Sequence, residues 1–302
     1  MRITKGQFTG CLLGLATGDA LGAPHEGGGL EKALWRFIGR TRDGALRWTD
    51  DTRMALDLAE SLLEEDGVRP DALAKRFAGS YHWSRGYGPG TARVLRRIRR
   101  GEPWQSASRA VHPDGSYGNG AAMRSPVVAL FARDEAAIVE AARASALVTH
   151  GHPQAITGAV LIALATGHLL RGTPAPGLFA GLRTVCRDAE IAERLRRAAS
   201  WILNGEVPAP YEVAVWLGNG MAAVASCATA IYIALRHLRS PFEEMTAFVI
   251  ACGGDVDTIG AMAGALWGAA NGSAGLPPVK VEKRSYLEDV ADRLFRRFVG
   301  GG

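Results

Sequence analysis

Residues 51–67 read DTRMALDLAESLLEEDG, and this stretch decides the class of fold. Met54, Leu56, Leu58, Leu62 and Leu63 recur with helical rather than alternating periodicity. Acidic residues crowd the start, where the helix macrodipole favours them, and Asp66-Gly67 supplies the stop. The same reading extends outward: Phe8, Cys11, Leu12 and Leu15 lie upstream, and Leu73, Phe77 and Tyr81 downstream. Further on, Ser240-Pro241-Phe242-Glu243 reads as a capping box with proline at the first helical position. Strand signals are nearly absent. The expectation is an all-α chain of a dozen or so helices, a compact orthogonal multi-helix domain.

The length of 302 residues suits one large domain or two ordinary ones. With 47% apolar, 22% charged and 7% aromatic residues, the chain can build a large core and is not disordered. Small residues between the apolar positions let helices approach closely. No run of Ser, Gly or Pro is long enough to be a linker, so a single domain over residues 1–302 is expected. Residues 174–210 read as the loosest part, with Pro174, Pro176, Pro208 and Pro210 as breakers.

Cys11, Cys186, Cys227 and Cys252 are far apart, which indicates neither a zinc site nor a disulfide framework and fits a reducing cytoplasm. The N-terminal apolar run lies mostly after Cys11 and is interrupted by Asp19, unlike a signal peptide. Residues 155–170 and 221–235, the longest apolar stretches, fall short of the roughly 20 residues that span a bilayer and read as buried core helices. The net charge of +5 is modest. Arg93, Arg96, Arg97, Arg99 and Arg100 cluster without interleaved aromatic residues, which suits a solvated helix face better than a nucleic-acid surface.

Two stretches echo each other about two hundred residues apart: Thr49-Asp50-Asp51-Thr52 and Asp255-Val256-Asp257-Thr258. Each stands where an irregular segment enters a helix, so either alone reads as an N-cap. Capping needs only one side chain, however, and adjacent carboxylates repel unless a cation or proton intervenes. Asp255 and Asp257 cannot share one face of a regular helix, but Gly253-Gly254 permits a turn from which they converge. Oxygen donors without a nearby His or Cys point to a hard ion, Mg²⁺ first and Mn²⁺ second, and four carboxylates are enough for two such ions.

Between these stretches lies Gly115-Ser116-Tyr117-Gly118-Asn119-Gly120. A loop of small residues before a helix exposes backbone N–H groups and suits a phosphate, with Tyr117 available to pack on a sugar or base; it is also ordinary turn chemistry. Arg85-Gly86-Tyr87-Gly88-Pro89-Gly90 is a second such loop. Neither follows a strand, so neither is a dinucleotide fingerprint. Among the histidines, His150 in Thr149-His150-Gly151-His152-Pro153 sits in a break between apolar helices, where a ligand contact and a satisfied buried imidazole are both open.

Together these residues resemble the ADP-ribosylglycohydrolase family. The matching motifs are Gly18-Asp19-Ala20-Leu21-Gly22 with Glu26 beyond it, Trp48 to Thr52, Gly115 to Gly120 with Ala122-Met123-Arg124, Thr149-His150, and Gly253 to Gly260. Their order is the family's order. The resemblance implies an all-α fold with a cleft for two Mg²⁺ ions, held at Thr49, Asp50, Asp51, Asp255, Asp257 and Thr258. It places Glu26 at the scissile bond, with Asp257 as a carboxylate that could bridge both ions. Gly88, Gly115, Ser116, Tyr117, Gly118, Asn119 and His150 match positions that hold ADP-ribose. The two glycine loops look closer to the branch acting on serine-linked and other O-linked ADP-ribose than to the arginine-specific branch. The implied activity is metal-dependent release of ADP-ribose from a protein or other acceptor. The competing readings are a two-metal phosphohydrolase and a non-catalytic ADP-ribose binder.

Overall fold

The structure, a computed structural model, describes residues 3–300, and among them no β-strand forms; three isolated bridges are the extended pairings found. Sixteen α-helices and five short 3-10 turns form among the described residues. The first eight helices are α1 (Lys5–Gly22), α2 (Gly29–Ile38), α3 (Asp50–Glu65), α4 (Pro70–Ser80), α5 (Pro89–Arg99), α6 (Trp104–Val111), α7 (Pro126–Phe131) and α8 (Glu135–Leu147). They are followed by α9 (Pro153–Leu170), α10 (Ala175–Val185), α11 (Ala189–Asn204), α12 (Pro210–Leu217), α13 (Cys227–Arg236), α14 (Phe242–Cys252), α15 (Val256–Asn271) and α16 (Arg284–Gly300).

Helix α3 matches its sequence signals. Thr49 is its N-cap, and Asp66, in the left-handed region at φ 50°, ends it by donating its N–H to the Leu62 carbonyl. Three other expectations need correction. Residues 174–210 are not loose: they form α10 and α11, because Pro174 caps α10, Pro176 lies in its first turn, and Pro210 opens α12. Proline in a first turn removes an N–H that has no helical partner anyway. The Ser240 capping box does not form; α14 starts at Phe242 with Pro241 as N-cap, and the Ser240 N–H is taken by the His237 carbonyl. Residues 221–235 are not one helix either. Met221 is exposed, a 3-10 turn covers Ala223–Ala225, and α13 begins only at Cys227.

Helix α9 is 18 residues long and apolar enough to cross a membrane by those measures, yet 78% of that window is buried inside the protein, as befits a core helix. The arginines of α5 are largely engaged locally. Arg93 and Arg96 donate to the carbonyls of Pro89 and Ala92, Arg97 pairs with Glu102, and Arg99 donates to Gly79.

Helices α1 and α15 make the most extensive contact in the molecule. They run antiparallel with Gly10, Gly14 and Gly18 against Gly268, Gly264 and Gly260, so close that a Cβ on Gly14 would lie 2.2 Å from the Gly264 carbonyl oxygen. This contact fixes the functional end of the fold. At its far end a Cβ on Gly22 would meet the Asp257 Cα at 2.5 Å, so the last turn of α1 and the first turn of α15 are held together. Gly14→Val is expected to destabilise the fold by about 3 kcal/mol or more, because the obstacle is backbone and cannot yield as a side chain would. Urea unfolding checks this; a loss below about 1 kcal/mol would mean the helices can part cheaply.

Candidate active site

The first aspartate stretch is held by Asp19, a residue whose role nothing local in the sequence marks. Asp19, fully buried near the end of α1, accepts the backbone N–H of Thr49 at 2.9 and 3.0 Å and that of Thr52 at 3.1 Å, together with the Thr52 hydroxyl. The Thr49 hydroxyl caps the Asp51 N–H and donates to Asp51 Oδ2 at 2.9 Å. Thr49 and Asp19 thus take the Asp51 and Thr52 N–H groups at the start of α3, and Asp50 lines the cleft.

The second stretch depends on a tight turn. Gly253 and Gly254 have φ of 66° and 78°, and a Cβ on Gly254 would fall 2.0 Å from the Asn219 carbonyl oxygen. That carbonyl accepts the Asp255 N–H at 2.8 Å, while the Asn219 amide donates to Cys252 O at 2.9 Å. Sequence reasoning missed Asn219, since an asparagine in a Gly-Asn-Gly turn carries no distinguishing mark. Asn119 donates to Asp255 Oδ2 at 2.6 Å and to the Ser226 hydroxyl, tying the glycine loop to the second carboxylate pair.

The two stretches meet. Ligand atoms of Asp19, Asp51 and Asp257 lie within 4.8 Å of one another, as do those of Glu26, Asp255 and Asp257. Asp50, Asp51 and Asp257 are all pushed well above the usual carboxylate range, first by burial and then by neighbouring carboxylates, with Asp19 the leading neighbour of Asp50 and Asp51. Burial also raises Asp19, to about 6, against its hydrogen bonds. Asp51 Oδ1 is buried with no hydrogen-bond partner. A buried, oxygen-only donor set with an orphaned carboxylate oxygen and unrelieved like-charge repulsion fits a hard divalent cation.

A pH dependence follows. These carboxyls favour the protonated form when folded, so in metal-free protein their stabilising contribution is full below about pH 4 and fades as pH rises through 6 and beyond. Protons and cation compete, so Mg²⁺ should raise the melting temperature more at pH 8 than at pH 5. Equal shifts at both values in a thermal scan would contradict this.

Asp50, Asp51, Asp255, Asp257, Thr258 and Glu26 line a cleft of 410 Å³ together with Gly88, Ser116, Tyr117, Gly118, Asn119 and His150. Thr49 and Gly115 stand behind that lining. The Thr49 hydroxyl is engaged with Asp51, and Gly115 backs against Gly151 and His152, where a Cβ would lie 2.3 Å from the His152 N. The glycine loop is pinned by the break at residues 221–226: Asn119 N–H donates to Met221 O and Ala223 N–H to Tyr117 O. Tyr117 and Met221 remain 61% and 60% exposed, leaving an apolar rim for a flat ring. His112, unremarked in the sequence, also lines the cleft; a Cβ on Gly90 would strike its Nε2 at 2.4 Å. Glu26 follows the 3-10 turn Ala23–His25, is half-buried, and shares a hydrogen bond with Asp257.

The family model for ADP-ribosylglycohydrolase matches residues 2–302. The chain belongs to the ADP-ribosylglycohydrolase family. Among its relatives, ADP-ribosylhydrolase ARH3 of Xenopus tropicalis is 33% identical over 335 residues, covering 97% of this chain and 95% of the relative. ADP-ribosylhydrolase ARH3 of Homo sapiens is 32% identical, covering 90% of this chain and 87% of its own. The solved structure of an ADP-ribosylglycohydrolase-related protein complex superposes with a TM-score of 0.72 at 28% identity, covering 98% of this chain and 99% of that one. The matched region takes in the whole cleft, both aspartate stretches and both glycine loops, so this ADP-ribosylglycohydrolase-family member is a hydrolase acting on ADP-ribose.

Proposed function

We propose that the chain hydrolyses the glycosidic bond between ADP-ribose and an acceptor and releases ADP-ribose, with serine-linked and other O-linked acceptors favoured over arginine-linked ones. The observation that carries this reading is the meeting of four buried aspartates and Glu26 with the glycine loop and His150 in one cleft. Thr49, Asp50, Asp51, Asp255, Asp257 and Thr258 would hold two Mg²⁺ ions, with Mn²⁺ a substitute. Bound there, the ions supply Lewis acidity and positive charge at the reacting sugar.

The remaining work falls to the chain's own groups. The leaving atom departs from an anomeric carbon with oxocarbenium character, which a carboxylate-rich wall stabilises. Glu26 stands at that wall beside Asp257, where it can donate a proton to the leaving oxygen and take one from water. The Ser116 to Gly120 segment and His150 orient the diphosphate and the distal ribose, and Tyr117 offers a face to the base. Four free cysteines suit a reducing cytoplasm as the place of action.

The test compares serine-linked, arginine-linked and nucleic-acid-linked ADP-ribose, with O-acetyl-ADP-ribose, under Mg²⁺, Mn²⁺ and chelator. The proposal expects the O-linked substrates to turn over fastest and only with metal. Preference for the arginine linkage would overturn the acceptor assignment.

A further inference from the structure

Arg124 is fully buried, with no exposed surface, and among the described residues it pairs with no carboxylate. Its guanidinium donates to the Gly120 carbonyl at 2.6 Å, the Ser145 carbonyl at 2.9 Å and the Thr149 hydroxyl at 2.9 Å, while its plane lies over the Phe77 ring. Thr149 Oγ1 in turn stands 2.7 Å from His150 Nδ1. The chain of contacts therefore runs from the core to a ring that lines the cleft.

Proton counting along this chain fixes the chemistry of its end. A guanidinium has no acceptor, so one Thr149 lone pair is taken by Arg124. If His150 carried its proton on Nδ1, Thr149 would accept a second time and its own hydroxyl hydrogen would be left buried with no acceptor. The satisfied arrangement has the Thr149 hydroxyl donating to Nδ1, which places the imidazole proton on Nε2. Nε2 has no acceptor among the described residues and is not among the buried orphaned atoms, so it opens to the cleft. Gly118 and Gly120 flank the ring there, and a Cβ on Gly120 would meet Nε2 at 2.8 Å.

We infer that Arg124, acting through Thr149, is a positioning residue that locks His150 as a neutral hydrogen-bond donor at Nε2, so that His150 holds an acceptor oxygen of the ligand and never serves as a base. Burial, with the charges of Arg124 and His112 behind it, holds the imidazole down to about 3 and so keeps it neutral. The ligand partner rests on the ADP-ribose reading above; the proton position does not.

The test uses the full chain labelled with ¹⁵N-histidine, with His150 assigned by its absence in a His150→Gln spectrum. Long-range ¹H–¹⁵N spectra should show a protonated Nε2 and a bare Nδ1 in the free wild type. Thr149→Val should mix the two tautomers and weaken ADP-ribose binding by roughly tenfold, and Thr149→Ser should restore both. A proton on Nδ1 in the wild type overturns the inference, whatever the variants do. An unchanged tautomer in folded Thr149→Val overturns it as well. Loss of the lock in Thr149→Val in a protein that binds no ADP-ribose would uphold the inference while removing the functional reading.

Discussion

Asp257→Asn is expected to lower kcat by roughly 10²–10³-fold or more, the scale for losing one preorganised electrostatic group in a dry site. Asp257 belongs to both carboxylate groups, one with Asp19 and Asp51 and the other with Glu26 and Asp255. Among the described residues no other side chain joins them. Asparagine has the same shape, so the substitution subtracts charge with little change in packing. It should also separate stability from activity. The aspartates repel one another in metal-free protein, so Asp257→Asn in chelator at pH 8 should melt above the wild type, while gaining less from added Mg²⁺. Steady-state turnover and thermal scans check the two halves. Wild-type kcat in the variant would remove Asp257 from the reaction.

The second large effect is expected at Glu26. Glu26→Gln should lower kcat about 10²-fold or more with ADP-ribose affinity and the Mg²⁺ thermal shift retained, because an amide can neither give nor take the proton that the leaving group and water require. The residue is placed for this. It leaves α1 through the 3-10 turn Ala23–His25, with extended backbone at φ −80° and ψ 155°, and Gly27 follows at φ 73°. Its carboxyl thereby reaches Asp257 from outside the buried cluster. Undiminished turnover would end its proton-transfer role, whereas a parallel loss of the Mg²⁺ shift would make it a ligand.

The helical class and both aspartate stretches were legible because each is a local pattern. The periodicity of residues 51–67 and the Asp-x-Asp spacing can be read without knowing what lies opposite. What escaped the sequence reading is what tertiary contact decides. Asp19 looks like one more polar residue in an apolar helix, yet its carboxylate organises the start of α3 from thirty residues away. Asn219 shapes the turn before Asp255 by offering a backbone carbonyl, a group every residue possesses. The prolines of residues 174–210 were misread because the same residue breaks a helix interior and opens a helix start, and only the flanking backbone distinguishes the two. The stretch 221–226 carries no break signal strong enough to stop a helix. It stops because Met221 and Ala223 pair with the Tyr117–Asn119 loop instead.

The most direct test of the account is to identify the product released from a serine-ADP-ribosylated peptide by the wild-type chain, with Mg²⁺ in one reaction and excess chelator in another. Intact ADP-ribose and unmodified peptide are expected with Mg²⁺, and neither in chelator. AMP among the products would replace glycosidic cleavage with phosphoryl chemistry, and an equal rate in chelator would leave the aspartate cluster without the metal that explains it.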